Sequence, residues 1–327
     1  METLYVFSSG TLERRNNTIS FVEEGGKRKY VPVENIKQVY FFGEVDLNKR
    51  VLEFFTEKEI VAHFFNHFGY YIGSYYPREH YNSAYVLLKQ VQTFMDQNRR
   101  LTLAKGFLKG AIKNMLRNLG DYNGQELEDI SSGIKQMEKS LLEAESIEEL
   151  MGIEANIRQA YYSAFNYIIK DKSFKFETRT KRPPTDSLNA LISFGNSITY
   201  TAVLSEIYKT HLDPRIGYLH ANNHRRFTLN LDVSEVFKPI LVDRAIFSLI
   251  NKGQIKAKHF IKGSNGVYLN EEGRKVVVSE IENRLETTVR NEKLKRNVSY
   301  RNLIRIELYK IEKFIINDED YKPFVRA

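Results

Sequence analysis

Apolar residues in the first 77 or so positions form short runs rich in β-branched and aromatic side chains, separated by turn-forming residues. Runs of this kind are typical of strands. The pattern predicts one short helix over residues 51–58. It also predicts five strands, over residues 4–7, 18–22, 38–42, 60–65 and 70–75.

The pattern changes after Pro77, and from about Ala84 apolar residues recur every three or four positions, as on one face of a helix. Helices are predicted from there to about residue 119, with a break at 120–124, and again over 129–150. The next helix carries Glu154. Asp186 is a plausible N-cap for a helix that continues to about Lys209.

The remaining pattern predicts a helix over 231–251 that Pro239 interrupts, a small hairpin over 259–270 and a last helical stretch over 271–316. The expected fold class is therefore α+β. A β-rich N-terminal domain, residues 1–80, precedes a larger and mainly α-helical domain, residues 81–327.

Composition narrows the possible partners and chemistry. The 327 residues carry a net charge of +8, which favours polyanionic partners such as nucleic acid. The absence of cysteine excludes disulfides, thiolate catalysis and zinc–cysteine sites. No secretory signal and no apolar run of membrane-spanning length is visible, so a soluble cytoplasmic protein without membrane association is expected.

Four acidic or imidazole side chains stand in mostly apolar, helix-like surroundings: Glu154, His220, Asp232 and Glu235. An unpaired charge is costly to bury, so such groups need partners. Carboxylates with one imidazole suit a hard divalent cation such as Mg²⁺ or Mn²⁺. In a basic protein, such an ion indicates chemistry on phosphodiesters.

Simpler interpretations exist for each of these groups. Glu154 could form only an i,i+4 salt bridge with Arg158, and His220 could be a packed core histidine. Asp232 and Glu235 could merely complement a helix dipole, and Lys238 could neutralise Glu235 locally. Each motif is weak by itself, and the combination favours a metal site.

Basic residues flank these candidate ligands. Phosphate contacts by such residues position DNA without reading its sequence, and the alternative is a solvated surface. The candidates for DNA contact are Arg179, Lys181, Arg182, Arg225 and Arg226.

Several stretches together resemble one family. They are residues 42–47 and 69–79, Glu154 with Arg158, Arg182-Pro183-Pro184, His220, residues 231–244 and residues 301–310. In this combination the chain resembles the CRISPR-associated spacer-acquisition integrase, the universal first Cas protein, also described as a DNA endonuclease, and is most similar to its type I-B branch. His224-Arg225-Arg226 stands where the family often has a glycine–arginine pair.

The resemblance implies a metal-dependent DNA endonuclease and integrase. It implies that Glu154, His220 and Glu235 bind Mg²⁺ or Mn²⁺ and that Asp232 supports or shares the site. In the implied reaction, a 3′-hydroxyl of captured DNA attacks a phosphodiester at a CRISPR repeat. The implied partners are double-stranded DNA (prespacer and CRISPR repeat), a second copy of the chain that dimerises through the N-terminal domain, and the small second adaptation protein. The alternatives are a metal-free DNA-binding scaffold and an integrase of a mobile element outside CRISPR arrays.

Overall fold

The structure is a computed structural model that describes residues 3–31, 33–77, 81, 83–220, 227–263, 265–292, 294–317 and 319–327. It divides into two compact units, residues 1–82 and 83–327. The first is rich in strands and the second is mainly helical, which confirms the predicted α+β class.

The described residues of the N-terminal unit form two four-stranded sheets and one helix. Its elements are β1 (Thr3–Val6), β2 (Gly10–Arg15), β3 (Thr18–Glu23), β4 (Arg28–Val31), β5 (Gln38–Phe41), β6 (Val45–Leu47), α1 (Lys49–Glu57), β7 (Val61–Phe65) and β8 (Tyr71–Tyr75). One sheet has the order β1-β5-β7-β8, in which only β8 is antiparallel to its neighbour. The other has the order β4-β3-β2-β6.

One apolar core serves both sheets and the helix of this unit. Leu12 and Ile19 from one sheet, Val39 and Phe41 from the other, and Phe54 from α1 are all almost fully buried. The five predicted strands are present within a residue or so. The prediction missed β2, β4 and β6, because charged residues such as those at 13–15 mask the alternation of a strand that is buried on one face only.

The C-terminal unit contains ten helices among its described residues. They are α2 (Ala84–Met95), α3 (Gln97–Leu119), α4 (Gln125–Glu143), α5 (Ile147–Ser163), α6 (Phe165–Ile168), α7 (Ser187–Ile207), α8 (Leu229–Lys238), α9 (Arg244–Asn251), α10 (Glu271–Glu286) and α11 (Tyr300–Ile315). Two hairpins accompany them, formed by β9 (Phe260–Lys262) with β10 (Val267–Leu269) and by β11 (Thr288–Asn291) with β12 (Arg296–Ser299).

Two of the predicted helical boundaries are wrong. The helix expected over 129–150 ends at Glu143, and α5 begins after Ser146, whose hydroxyl caps it by accepting from the Glu149 amide at 3.2 Å. The last stretch, expected to be helical over 271–316, is interrupted by the β11–β12 hairpin. Thr287, Thr288 and Val289 are β-branched and favour that extended segment over a helix.

The position of α8 depends on side chains from α3. Pro239 has no N–H to donate within the helix, and residues Pro239–Asp243 form a π-helical turn between α8 and α9. Asn114 donates to the Val236 carbonyl at 2.9 Å, and Asn118 donates to the Pro239 carbonyl at 2.7 Å. These bonds satisfy buried carbonyl groups and fix α8 on α3.

The central helix of the unit is α7, which is buried along nearly its whole length. The predicted N-cap is confirmed, since the Asp186 carboxylate accepts from the Asn189 amide at 2.8 Å. Helices α8, α10 and α11 all pack against α7. In the described part of the chain, we find no helix that combines the length and apolar character needed to cross a membrane.

Candidate active site

The carboxylate of Asp232 organises the backbone that precedes α8. Its Oδ2 accepts from the amides of Tyr218 and Leu219, at 2.5 and 3.0 Å, and its Oδ1 accepts from the amide of His220 at 2.9 Å. The same Oδ1 lies 2.8 Å from His220 Nδ1. Four hydrogen bonds leave this buried carboxylate with little capacity for a further ligand, so its geometry fits a role in positioning His220.

Close packing at Gly217 makes this arrangement possible. A Cβ atom at Gly217 would lie 2.8 Å from Asp232 Oδ2 and 2.7 Å from the backbone carbon of Thr228. The Gly217 amide donates to the Thr228 hydroxyl at 2.9 Å, and that hydroxyl donates to the Arg215 carbonyl at 2.9 Å. The loop therefore has to approach α8 with no side chain at this position.

His220 presents its second ring nitrogen to Glu235. With Nδ1 bonded to Asp232, Nε2 lies 3.9 Å from Glu235 Oε1, and the side chain is 26% exposed. Burial lowers the pKa of His220, but the hydrogen bond and the charge of Asp232 outweigh that effect and raise it above the usual 6.5. A carboxylate that fixes the ring of a histidine in this way is a common partner of metal-binding histidines.

Both oxygens of Glu235 are held by cations of the chain. Arg158 bonds to Oε2 and Lys238 bonds to Oε1, and the Glu235 side chain is only 3% exposed. Burial raises the pKa of Glu235, but the charges of Lys238 and Arg158 overcome it and lower the pKa well below its usual range. Glu235 is therefore ionised at neutral pH.

Arg158 brings Glu154 next to Glu235. Its Nε donates to Glu154 Oε1 at 3.1 Å, and its Nη2 donates to Glu235. The Glu154 side chain is 21% exposed, whereas the Arg158 side chain is 11% exposed. The i,i+4 salt bridge proposed as a simpler interpretation thus exists, and it is part of a larger cluster in which one guanidinium bridges two carboxylates.

The described acidic and imidazole groups of this cluster offer an incomplete ligand set for a divalent cation. Among the described residues, no three acidic or imidazole groups converge closely enough to form a complete ligand cage. The pair formed by His220 Nε2 and Glu235 Oε1 has a separation that one ion can bridge, and Arg158 holds Glu154 beside it. Carboxylate oxygens and an imidazole nitrogen are the ligand types that suit a hard divalent ion. The described residues thus provide part of a ligand set for such an ion.

The candidate DNA-contact residues that the structure describes have different surroundings. Arg179 turns inward, where it bonds to Asn189 Oδ1 at 2.8 Å and to Ser193 Oγ at 2.9 Å, so its guanidinium fastens the loop before α7. Lys181 and Arg182 are exposed. The Lys181 ammonium is nevertheless partly desolvated by neighbouring atoms, which lowers its pKa, and the nearby charges of Lys238 and Arg179 lower it further. Arg225 and Arg226 lie outside the described residues.

Sequence reasoning assigned no role to Asp243, which ends the π-helical turn and is almost fully buried. Burial raises the pKa of Asp243 to about 7, although the Arg158 charge and the Tyr161 hydroxyl oppose the rise. Its Oδ2 has no hydrogen-bond partner among the described residues. The signal in the sequence was an acidic residue directly after the apolar run Ile240-Leu241-Val242.

A two-unit fold with carboxylates clustered around one histidine suggests a class of nucleic-acid enzyme. Comparison of the chain with known protein families identifies that class. The family model for "CRISPR associated protein Cas1" matches residues 4–283. The "CRISPR-associated endonuclease Cas1 2" of Thermodesulfovibrio yellowstonii is 54% identical over 326 residues, which cover 99% of this chain and 98% of that protein.

Solved structures agree with that match. A Cas1 protein from Thermotoga maritima is 46% identical and superimposes with a TM-score of 0.89, covering 99% of this chain and 100% of that one. A chain in a Cas6-RT-Cas1–Cas2 complex shares the fold at 19% identity and a TM-score of 0.86, covering 99% of this chain and 36% of that one. The chain belongs to the Cas1 family, and the family resemblance seen in the sequence is confirmed, whereas the similarity to the type I-B branch stays a prediction.

Proposed function

We propose that this chain is a metal-dependent DNA endonuclease and integrase of CRISPR adaptation that inserts new spacer DNA into the CRISPR array. The observation that carries the proposal is the orientation of the His220 imidazole ring. Asp232 fixes its Nδ1, and its Nε2 faces the buried carboxylate of Glu235 at 3.9 Å. Membership of a family whose relatives are named endonucleases supports the same reaction class.

In the proposed reaction, a 3′-hydroxyl of the incoming DNA attacks a repeat phosphodiester. A new phosphorus–oxygen bond forms, an existing one breaks, and a repeat strand leaves with a free 3′-hydroxyl. With water as the attacking group, the same site would hydrolyse DNA. No protein nucleophile is required, which fits a chain without cysteine.

The residues of the chain have distinct proposed parts. Glu154, His220 and Glu235 would hold Mg²⁺ or Mn²⁺, and Asp232 would orient His220. When bound, the ion would polarise a phosphoryl oxygen and stabilise the charge that develops on it. Lys181 and Arg182 would contact DNA phosphates from the exposed loop before α7, while Arg179 would hold that loop in place.

The proposed assembly is a homodimer, with the N-terminal unit as its dimerisation domain, in complex with Cas2 and double-stranded DNA. The net charge of +8 supports the DNA partner. A chain of the same fold occurs in a solved Cas6-RT-Cas1–Cas2 complex, which supports Cas2 as the protein partner.

Strand transfer tests this proposal directly. A short duplex with free 3′-hydroxyls would be incubated with repeat-bearing supercoiled DNA, Cas2 and Mn²⁺, using wild-type chain and His220→Ala. We expect metal-dependent joining that the variant loses while it retains DNA binding. Equal joining by both proteins would remove His220 from the mechanism. No joining by either, with DNA binding intact, would instead favour a scaffold that organises the chemistry of a partner.

A further inference from the structure

The side chain of Lys238 contacts the Glu235 carboxylate on the oxygen that faces His220. Its ammonium bonds to Glu235 Oε1, the same oxygen that lies 3.9 Å from His220 Nε2. The other oxygen, Oε2, is bonded to Arg158. Any cation that binds between His220 and Glu235 must therefore share Oε1 with Lys238.

Burial makes such sharing unfavourable. The Lys238 and Glu235 side chains are 9% and 3% exposed, so solvent screens their charges poorly. An ammonium and a divalent cation on the same carboxylate oxygen would repel each other strongly in these surroundings. The single negative charge of Glu235 is already balanced by Lys238 and Arg158 before any ion arrives.

The structure also offers a place for the displaced ammonium. Lys238 Nζ lies 5.0 Å from the centre of the Tyr200 ring, and Tyr200 is half-buried at the edge of the cluster. The face of a tyrosine ring attracts an ammonium within about 6 Å. A rotation of the lysine side chain about its flexible bonds could therefore move the charge away from Glu235 and keep it in contact with the ring.

From this geometry we infer that Lys238 is an internal competitor of the divalent cation. It stabilises Glu235 in the metal-free protein, lowers the affinity of the site for metal, and leaves the carboxylate when metal binds. The inference rests on the proposed function, because it concerns the same metal site. It adds a residue that regulates metal loading and that the ligand set alone does not reveal.

The chain contains a matched pair that lacks the metal site. Lys209 bonds to Glu206 Oε1 at 2.7 Å across the same i,i+3 spacing, and Arg305 bonds to the other oxygen at 2.7 Å. Glu206, like Glu235, is buried. The variant Lys209→Met therefore removes an ammonium from a buried carboxylate that also binds an arginine, and it serves as the control, with Lys209 more exposed (28%) than Lys238 (9%).

The first experiment measures equilibrium binding of Mn²⁺ to the full-length chain without DNA, by electron paramagnetic resonance of the free ion. We expect Lys238→Met to bind Mn²⁺ about tenfold more tightly than wild type, a typical size for the effect of a residue that contacts a metal ligand. We expect Lys209→Met to match wild type. A folded Lys238→Met with wild-type or weaker affinity would overturn the competition.

A second measurement uses the wild-type chain and does not depend on how a variant folds. Acetylation of individual lysines would be quantified by mass spectrometry with and without Mn²⁺. We expect Mn²⁺ to increase the labelling of Lys238 at least severalfold and to leave Lys209 unchanged. Equal labelling of Lys238 in both states would contradict displacement.

The same binding assay separates this inference from the proposed function. If wild type binds Mn²⁺ and both His220→Ala and Glu235→Gln lose it, the metal site stands, and only the Lys238 results decide the competition. If wild type and these two variants bind Mn²⁺ alike, the proposed metal site fails, and the inference fails with it.

Discussion

His220 Nδ1 lies 2.8 Å from Oδ1 of Asp232, a carboxylate that also accepts the backbone amides of residues 218–220. One side chain thus fixes both the loop that carries the histidine and the orientation of its ring. Because the ring is held through Nδ1, Nε2 remains available to the side where Glu235 lies. The two residues form one functional unit, so a substitution of Asp232 should change the pKa and the metal affinity of His220.

The variant Asp232→Asn tests this coupling. It removes the charge that raises the pKa of His220, so the pKa of the imidazole should fall towards or below 6.5 in the metal-free protein. We expect Mn²⁺ affinity to fall by ~10–100-fold, because the ring loses the partner that orients it. NMR titration of the histidine ring protons and a Mn²⁺ binding curve measure the two effects.

Asp171→Asn is the control, since Asp171 is an exposed carboxylate that also accepts a backbone amide, that of Ser173 at 3.0 Å. It should leave both quantities unchanged. An unaltered His220 pKa in Asp232→Asn would mean that Asp232 serves the loop alone.

Glu154 should be important for activity and almost irrelevant for stability. Its side chain is partly exposed and accepts a hydrogen bond from Arg158 at i,i+4. Such pairs contribute only ~0.2–0.5 kcal/mol. We therefore expect Glu154→Gln to lose most strand-transfer activity while the urea midpoint stays close to wild type.

Glu148→Gln, an exposed glutamate in the first turn of the same helix, is the matched control and should retain activity. If Glu154→Gln unfolded as readily as a core variant, the glutamate would be a structural residue.

Much of this organisation could be predicted from the sequence where one physical signal dominates. The N-terminal strands follow from aromatic and β-branched runs, and the start of α7 follows from Asp186, whose cap geometry is local. The ligand candidates stood out because a carboxylate in apolar surroundings needs a partner. These signals lie within a few residues of one another along the chain.

Features that depend on distant residues could not be predicted in this way. The inward turn of Arg179 depends on Asn189 and Ser193, which present their polar groups only after α7 has formed. The three hydrogen bonds that Asp232 accepts from the backbone amides of residues 218–220 depend on the packing of that loop against α8. The hairpin within the last predicted helix was masked by charged residues that suit either structure.

Asp243 should make stability depend on pH. Its folded pKa, about 7, is raised from 3.8, so the folded state holds the proton more tightly than the unfolded state. The contribution of protonated Asp243 to folding stability is complete below about pH 4 and is lost as the pH rises through 7. Asp243→Asn keeps the shape without the charge and should be more stable than wild type at pH 8.

Urea denaturation of metal-free protein at pH 5, 6, 7 and 8 measures this effect. The raised pKa of His220 also makes stability fall as the pH rises. Subtracting the unfolding free energy of wild type from that of the variant at each pH therefore isolates the contribution of Asp243. Parallel stability curves for the two proteins would show that Asp243 titrates alike in both states.

Variants of Arg182 and Arg179 should distinguish a role in DNA binding from a role in holding the loop before α7. Arg182 is exposed, so Arg182→Met should reduce the salt dependence of binding to duplex DNA, with a slope change of ~0.9 for one lost phosphate contact. Arg179→Met should leave that slope unchanged and cost roughly 1–3 kcal/mol, because Ser193 loses its partner and Asn189 loses one of the donors to its Oδ1. Fluorescence anisotropy across a salt series and thermal melts measure the two quantities. The reverse pattern, with the slope change in Arg179→Met, would assign the phosphate contact to Arg179.

Asn114 links the C-terminal residues to the helix that carries Glu235. Its amide donates to the carbonyls of Val236 and Phe324, at 2.9 and 3.2 Å, and its Oδ1 accepts from the Arg326 amide at 2.8 Å. Asn114→Ala leaves these backbone groups without their partner, at a cost of ~1–3 kcal/mol for each one that stays buried.

Because Val236 follows Glu235 directly, the loss should also displace the carboxylate and weaken Mn²⁺ binding in protein that is still folded. Urea denaturation and Mn²⁺ titration of Asn114→Ala measure both effects, and Asn302→Ala, on the exposed face of α11, is the control. A large loss of stability with wild-type Mn²⁺ affinity would show that α8 keeps its position on α3 without the hydrogen bonds of Asn114. Weaker binding in the variant, with the control unchanged, would establish that a side chain on α3 positions a ligand on α8.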